Sequence, residues 1–169
     1  FPSVAYTAQL QREGEQVLNH QDAIKNLLSN NEEFDLKDTN IDLFLKNTKL
    51  AQEVDGAARR ELKSLQRVFK LAPNYRKTNA LLGQNIHSAQ SIIATGKSRF
   101  VKEVAPKANI RRAEAEVIYQ KAEATHTAAL LIVGELQDVM RTADVPALQM
   151  KSLAQKLKAV SADFPNLKS

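Results

Sequence analysis

The places where this 169-residue chain could do chemistry are three histidines, a tyrosine-glutamate-histidine helical face and a glycine-lysine-serine triplet. His20, His87 and His126 share no metal-ligand spacing with one another or with a carboxylate, and no HExxH arrangement is present. His126 follows Tyr119 by seven residues with Glu123 between them, so the three fall on one face of a helix, and a hydrogen-bonded row of that kind could orient a general base. No nucleophile or oxyanion donor accompanies it, and a polar patch satisfied at a helix interface accounts for the same residues. Gly96-Lys97-Ser98 puts a lysine and a hydroxyl at a helix start, where backbone amides attract anions. Gly83 and Gly96 are isolated, however, and no strand with a glycine-rich loop leads into either. These residues predict no catalytic, cofactor-binding or metal-binding site, no cofactor and no enzyme.

Composition bounds the alternatives. The chain has no cysteine, so disulfides, thiol nucleophiles and cysteine-ligated zinc are excluded. A chain of this length buries enough surface to fold without such staples, which leaves the compartment open. The run Ala124 to Gly134, free of acids and strong bases, falls far short of the roughly 20 apolar residues needed to span a bilayer, and the longer uncharged run from Thr78 to Gly96 is broken throughout by Asn, Gln, His and Ser. The chain opens Phe1-Pro2, with neither an initiator methionine nor a signal-peptide pattern. It is therefore expected to be a fragment of a much larger protein.

Charge is unevenly spread. Residues 1–48 carry four basic and eight acidic side chains, and residues 49–169 carry twenty and eleven. Between Arg59 and Arg112, thirteen Lys or Arg face only Glu61 and Glu103. A basic stretch of this kind could bind nucleic acid through its phosphates, with a helix-hairpin-helix-like element around Gly96. Against that reading, Arg59, Arg60, Lys63, Arg67 and Lys70 fall where the solvated face of an amphipathic helix belongs.

The elements that must position these residues read as helices throughout. With 43% hydrophobic residues, 25% charged, five glycines and five prolines, the chain predicts a single all-α domain over 1–169, a multi-helix bundle with an acidic lead-in (1–48) and a basic bundle (49–169). A first helix is expected over Val4 to Asn19 with a stripe through Val4, Leu10, Val17 and Leu18, and a second over Ala23 to Ser29. Phe34 and Leu36 should plug a short linker into the bundle, and Asn40 should cap Ile41 to Leu45. Leu50, Val54, Ala58, Leu62, Leu65 and Phe69 recur at helical spacing up to a stop at Pro73. Asn74 caps the next helix, which stops near Gly83 to Asn85. Ile86, Ala89, Ile92 and Ile93 form a short face closed by a left-handed Gly96, and Phe100, Val101 and Val104 form another that ends at Pro106. The longest helix is expected over Ile110 to Arg141. Its seam runs through Ala115, Ile118, Ala122, Thr125, Ala129, Ile132, Leu136 and Val139, with Ile118, Ala129, Ile132 and Leu136 buried. Asp144 should cap a last helix through Leu148, Leu153, Leu157 and Val160, with a frayed tail after Pro165.

The segment LQRVFKLAPNYRKTNALLGQNIHSAQSIIATGKSRFV, followed by AEVIYQKAEATHTAALLIVGEL, resembles a helical region in the A components of bacterial Tc (toxin complex) toxins and related Tc-A-like proteins. The resemblance is carried by Leu65, Gln66, Arg67, Phe69, Pro73, the turn from Asn79 to Leu82, His87 to Gln90, Ile93, Gly96, Phe100, Val101, Ile118, Tyr119, Ala122 and His126. Phe34 to Leu36 and Asn40 to Asp42 also fit, so that roughly two-thirds of the chain is covered. The family implies a non-enzymatic toxin or virulence role. Its members are very large, assemble as pentamers, bind target cells and form a translocation channel inside an α-helical shell. The resemblance places this fragment in the shell of a secreted or extracellular parent, with the parent's other domains and subunits as partners and the target-cell surface reached through the parent.

Overall fold

The computed structural model describes residues 2–12, 16–48, 50 and 54–141, and among these it is helical without a strand. The order is α1 (Pro2–Arg12), α2 (Gln21–Asn30), α3 (Ile41–Asn47), α4 (Gly56–Leu71), α5 (Tyr75–Leu82), α6 (Ala89–Thr95), α7 (Lys97–Arg99), a π-helical turn (Phe100–Val104), α8 (Ala105–Lys107) and α9 (Arg112–Arg141). The expected all-α bundle with one long late helix is therefore present. The expected cap at Asp144, the helix through Leu148, Leu153, Leu157 and Val160, the tail after Pro165 and the side chains of Leu136 and Val139 lie outside the described residues.

Local chemistry sets most helix starts. Asn40 accepts the Leu43 amide at 3.0 Å, and Asn74 accepts the Lys77 amide at 3.3 Å, both as expected. Asp55 accepts the Ala58 amide at 2.6 Å, which moves the start of α4 to Gly56 rather than Leu50. This bond is also the main reason the Asp55 carboxyl titrates below its ordinary range. Ser88 and Ser91 cap α6 reciprocally, a serine replacing the usual third-position Glu or Gln.

The buried apolar residues from Tyr6 to Ala122 form one contiguous cluster. The acidic lead-in belongs to it: the Tyr6 ring meets Phe69 edge-on at 5.6 Å and Tyr75 at 5.0 Å, and the Tyr6 hydroxyl donates to Asn79 Oδ1. Phe34 and Leu36 plug the linker into the core as expected. The first helix is shorter than expected. It ends at Arg12, Val4 is 52% exposed, and Tyr6 and Leu10 form its buried stripe in place of Val4. Residues 16–20 are not helical, although Leu18 still reaches the core.

α9 follows its expected seam only in part. Ala115, Ile118, Ala122 and Ala129 are buried, whereas Ile132 is only half-buried. A 30-residue helix is about 45 Å long, and its main neighbour, the seven-residue α6, is about 10 Å. α6 and the π-helical turn are the main neighbours of α9, and in its second half Leu130 and Leu131 are 57% and 64% exposed.

Burial, with the neighbouring Tyr75 adding to it, holds the Tyr6 phenol protonated far above its ordinary range, and the Asn79 bond offsets this only partly. An unfolded tyrosine ionises near pH 10, about where free tyrosine does. Because the native pKa is raised, Tyr6 contributes stability that is complete below that pH and is lost as pH rises beyond it. Urea unfolding across an alkaline pH series should show Tyr6→Phe with a shallower fall in stability above about pH 10. At neutral pH the same variant should lose about 1–3 kcal/mol, because Asn79 Oδ1 is left without its donor.

Candidate functional site

Three side chains of α4 reach out of the helix to satisfy backbone groups in three different loops. The Glu61 carboxylate accepts the amides of Asn19 and His20, each at 2.7 Å, and lies 3.1 Å from His20 Nδ1. It thereby serves the N-terminal end of α2, where His20 itself supplies no side-chain cap and negative charge is favoured. Gln66 donates to the carbonyl of Thr39 at 2.8 Å. Arg67 donates from Nε to the carbonyl of His87 at 3.1 Å and from its guanidinium to Ser64 Oγ at 2.9 Å.

Arg67 is a correction to its expected place on a solvated helix face, since it is only 7% exposed. Every residue from Leu65 to Phe69 is buried, so α4 is enclosed on nearly all sides at that level, and its polar side chains survive there by hydrogen bonding. Of the other basic residues expected on that face, Arg60 and Lys70 are exposed while Arg59 and Lys63 are half-buried. Lys63 is also paired with Asp42 at 2.7 Å.

His20 and His87 line one cleft together with Asp42, Arg60, Glu61, Lys63 and Arg67. The sequence offered no sign of this meeting, because the residues come from four separate stretches. His126 lies on α9, away from that cleft. Of the Tyr119, Glu123 and His126 face, Tyr119 is turned into the core with its ring 6.1 Å from Phe100, while Glu123 is exposed and His126 half-buried. Among the described residues, no group of three or more His, Asp or Glu is placed to hold a metal ion.

Gly96 joins α6 to a continuous helical stretch over residues 97–107. Its φ of 79° is positive as expected, but its ψ of 144° leads the chain directly into the next helix instead of closing a left-handed cap. That stretch also runs through Pro106, where a stop was expected. Over Phe100–Val104 the hydrogen bonding widens to a π-helical turn, with the Ala105 amide meeting the Phe100 carbonyl, and the chain resumes α-helix at Ala105 with Pro106 in its first turn. Gln84 donates to the Val104 carbonyl at 3.2 Å. Lys97, Arg99, Lys102, Lys107, Arg111 and Arg112 are all exposed along this edge, with Glu103 paired to Arg99 and Glu116 to Arg112.

No family model, curated protein or solved structure matches the chain. No helix among the described residues is long and apolar enough to cross a membrane.

The geometry assigns Glu61 a structural duty toward α2, with His20 as one of its donors. Glu61→Ala should therefore lower unfolding stability by about 1–3 kcal/mol and speed amide exchange at residues 19–24. Wild-type exchange in that segment would contradict the capping role.

Proposed function

We propose that this chain is a non-enzymatic structural module of the α-helical shell of a Tc-A-like toxin or virulence protein. Its partners are the other domains and subunits of the full-length assembly, whose target-cell binding and translocation it supports from an extracellular position. The observation that carries this reading is the burial pattern of the residues on which the resemblance rests. Leu65, Gln66, Arg67, Phe69, Asn79, Leu81, Leu82, Ser88, Ala89, Phe100, Val101, Ile118, Tyr119 and Ala122 are buried, whereas Ala80, Gln90, Ile93, Gly96 and His126 are half-buried and Pro73 and His87 exposed. The polar ones among the buried residues hold backbone or side-chain groups far away in sequence or close a helix cap. A motif spent on packing and loop anchoring specifies a scaffold. Leu130 and Leu131, exposed in the second half of α9, favour a neighbour there in the parent.

A second reading, a basic nucleic-acid-binding domain with a hairpin at Gly96, is favoured by the six exposed cations over residues 97–112. Binding through phosphates releases counterions, so the two readings differ in a salt series. The shell reading expects affinity for DNA or RNA at physiological salt within the non-specific range of about 10⁻⁴ to 10⁻⁶ M, without sequence preference. Submicromolar binding that collapses when Lys97, Arg99 and Lys102 are changed together to alanine, with the helical circular dichroism unchanged, would replace the shell reading by the hairpin one.

A further inference from the structure

The open cleft beside α4 has a volume of about 850 Å³, within the roughly 300–1,000 Å³ range of small-molecule sites. Its lining combines apolar surface with positive charge. Leu18 and Leu82, both buried, and half-buried Val17 and Ala57 supply apolar surface. Arg60, Lys63 and Arg67 supply positive charge, to which His20 and His87 add whenever they are protonated.

The two acids in the lining are already engaged. Asp42 holds Lys63 at 2.7 Å, and both Glu61 oxygens accept loop amides. Arg60 differs from the other cations. It is exposed, and its guanidinium stands on the first turn of α4, close enough to Asp55 to help lower that carboxyl's pKa. A planar guanidinium of this kind pairs bidentately with phosphate or carboxylate oxygens. The exposed His87 and Asn85 also line the cleft, where each side chain can donate a hydrogen bond.

We infer that this cleft binds an organic oxyanion, a phosphate or carboxylate carried on an apolar body, with Arg60 as its principal charge contact. The inference goes beyond the scaffold role and does not depend on it, since a shell module can carry a ligand cleft and a ligand cleft needs no shell.

The test is an NMR titration of the ¹⁵N-labelled 169-residue chain with phenyl phosphate, benzoate and inorganic phosphate in parallel. Phenyl phosphate or benzoate should saturate one site, with shifts concentrated in residues 17–20, 57–67 and 82–87. The tighter of the two identifies the oxyanion, and inorganic phosphate should bind more weakly than either because it lacks the apolar body. Arg60→Ala should weaken binding by about tenfold, Arg60→Lys should restore part of it because charge returns without the fork, and the Lys97, Arg99 and Lys102 triple alanine variant should change affinity less than about twofold. The inference is overturned if no probe saturates below about 10 mM, if shifts centre on residues 97–112, or if the triple variant loses as much affinity as Arg60→Ala. Arg60 is exposed, so its replacement leaves the fold intact, and unchanged shifts outside the cleft verify this.

Discussion

The bundle depends on α4, which is enclosed on nearly all sides from Leu65 to Phe69 and carries polar side chains that its surroundings must satisfy. An enclosed charge or amide without partners costs several kcal/mol. Glu61, Gln66 and Arg67 meet that demand by bonding to backbone groups of the loops at residues 19–20, 39 and 87. Each bond works in both directions. The loop gains a partner for a backbone group that has left its helix, and the side chain gains the partner that makes its burial tolerable. One central helix thereby fixes the entry to α2, the approach to α3 and the approach to α6.

The second constraint is the length mismatch between α9 and its neighbours. The helical stretch after Gly96 passes through a π-helical turn that places Phe100 and Val101 in the core, with the Phe100 ring 6.1 Å from Tyr119, ahead of Pro106. This supports the first half of α9, whose small buried residues Ala115 and Ala122 let α6 approach closely. Farther along the helix, Leu130 and Leu131 are exposed.

What the sequence revealed follows this division. Periodic apolar residues and single-residue caps act locally, so Asn40, Asn74, the stop at Pro73 and the buried stripe of α4 could all be read from spacing. The features that were missed depend on distant partners. A polar residue at position 67 looks solvated until residue 87 is placed beside it, and Val4 looks buried until Tyr6 is seen to turn inward in its place. The Ser88–Ser91 cap departs from the usual glutamate pattern, and the π-helical turn has no residue signature. The cleft was illegible for the same reason, its lining being drawn from separate stretches of chain. The expectation for Ile132 failed because spacing marks a face and says nothing of how far a neighbouring helix extends along it.

The central claim is that the buried polar side chains of α4 are structural. Gln66→Met and Arg67→Met test this directly: the first keeps an unbranched side chain of similar length and removes the donation to the Thr39 carbonyl, and the second removes the guanidinium with its bonds to the His87 carbonyl and Ser64 Oγ. Urea unfolding with amide exchange should show a loss of about 1–3 kcal/mol for each variant, with faster exchange centred on residues 39–43 for the first and residues 86–92 for the second. Two variants as stable as the original chain, with unchanged exchange in those loops, would contradict the account.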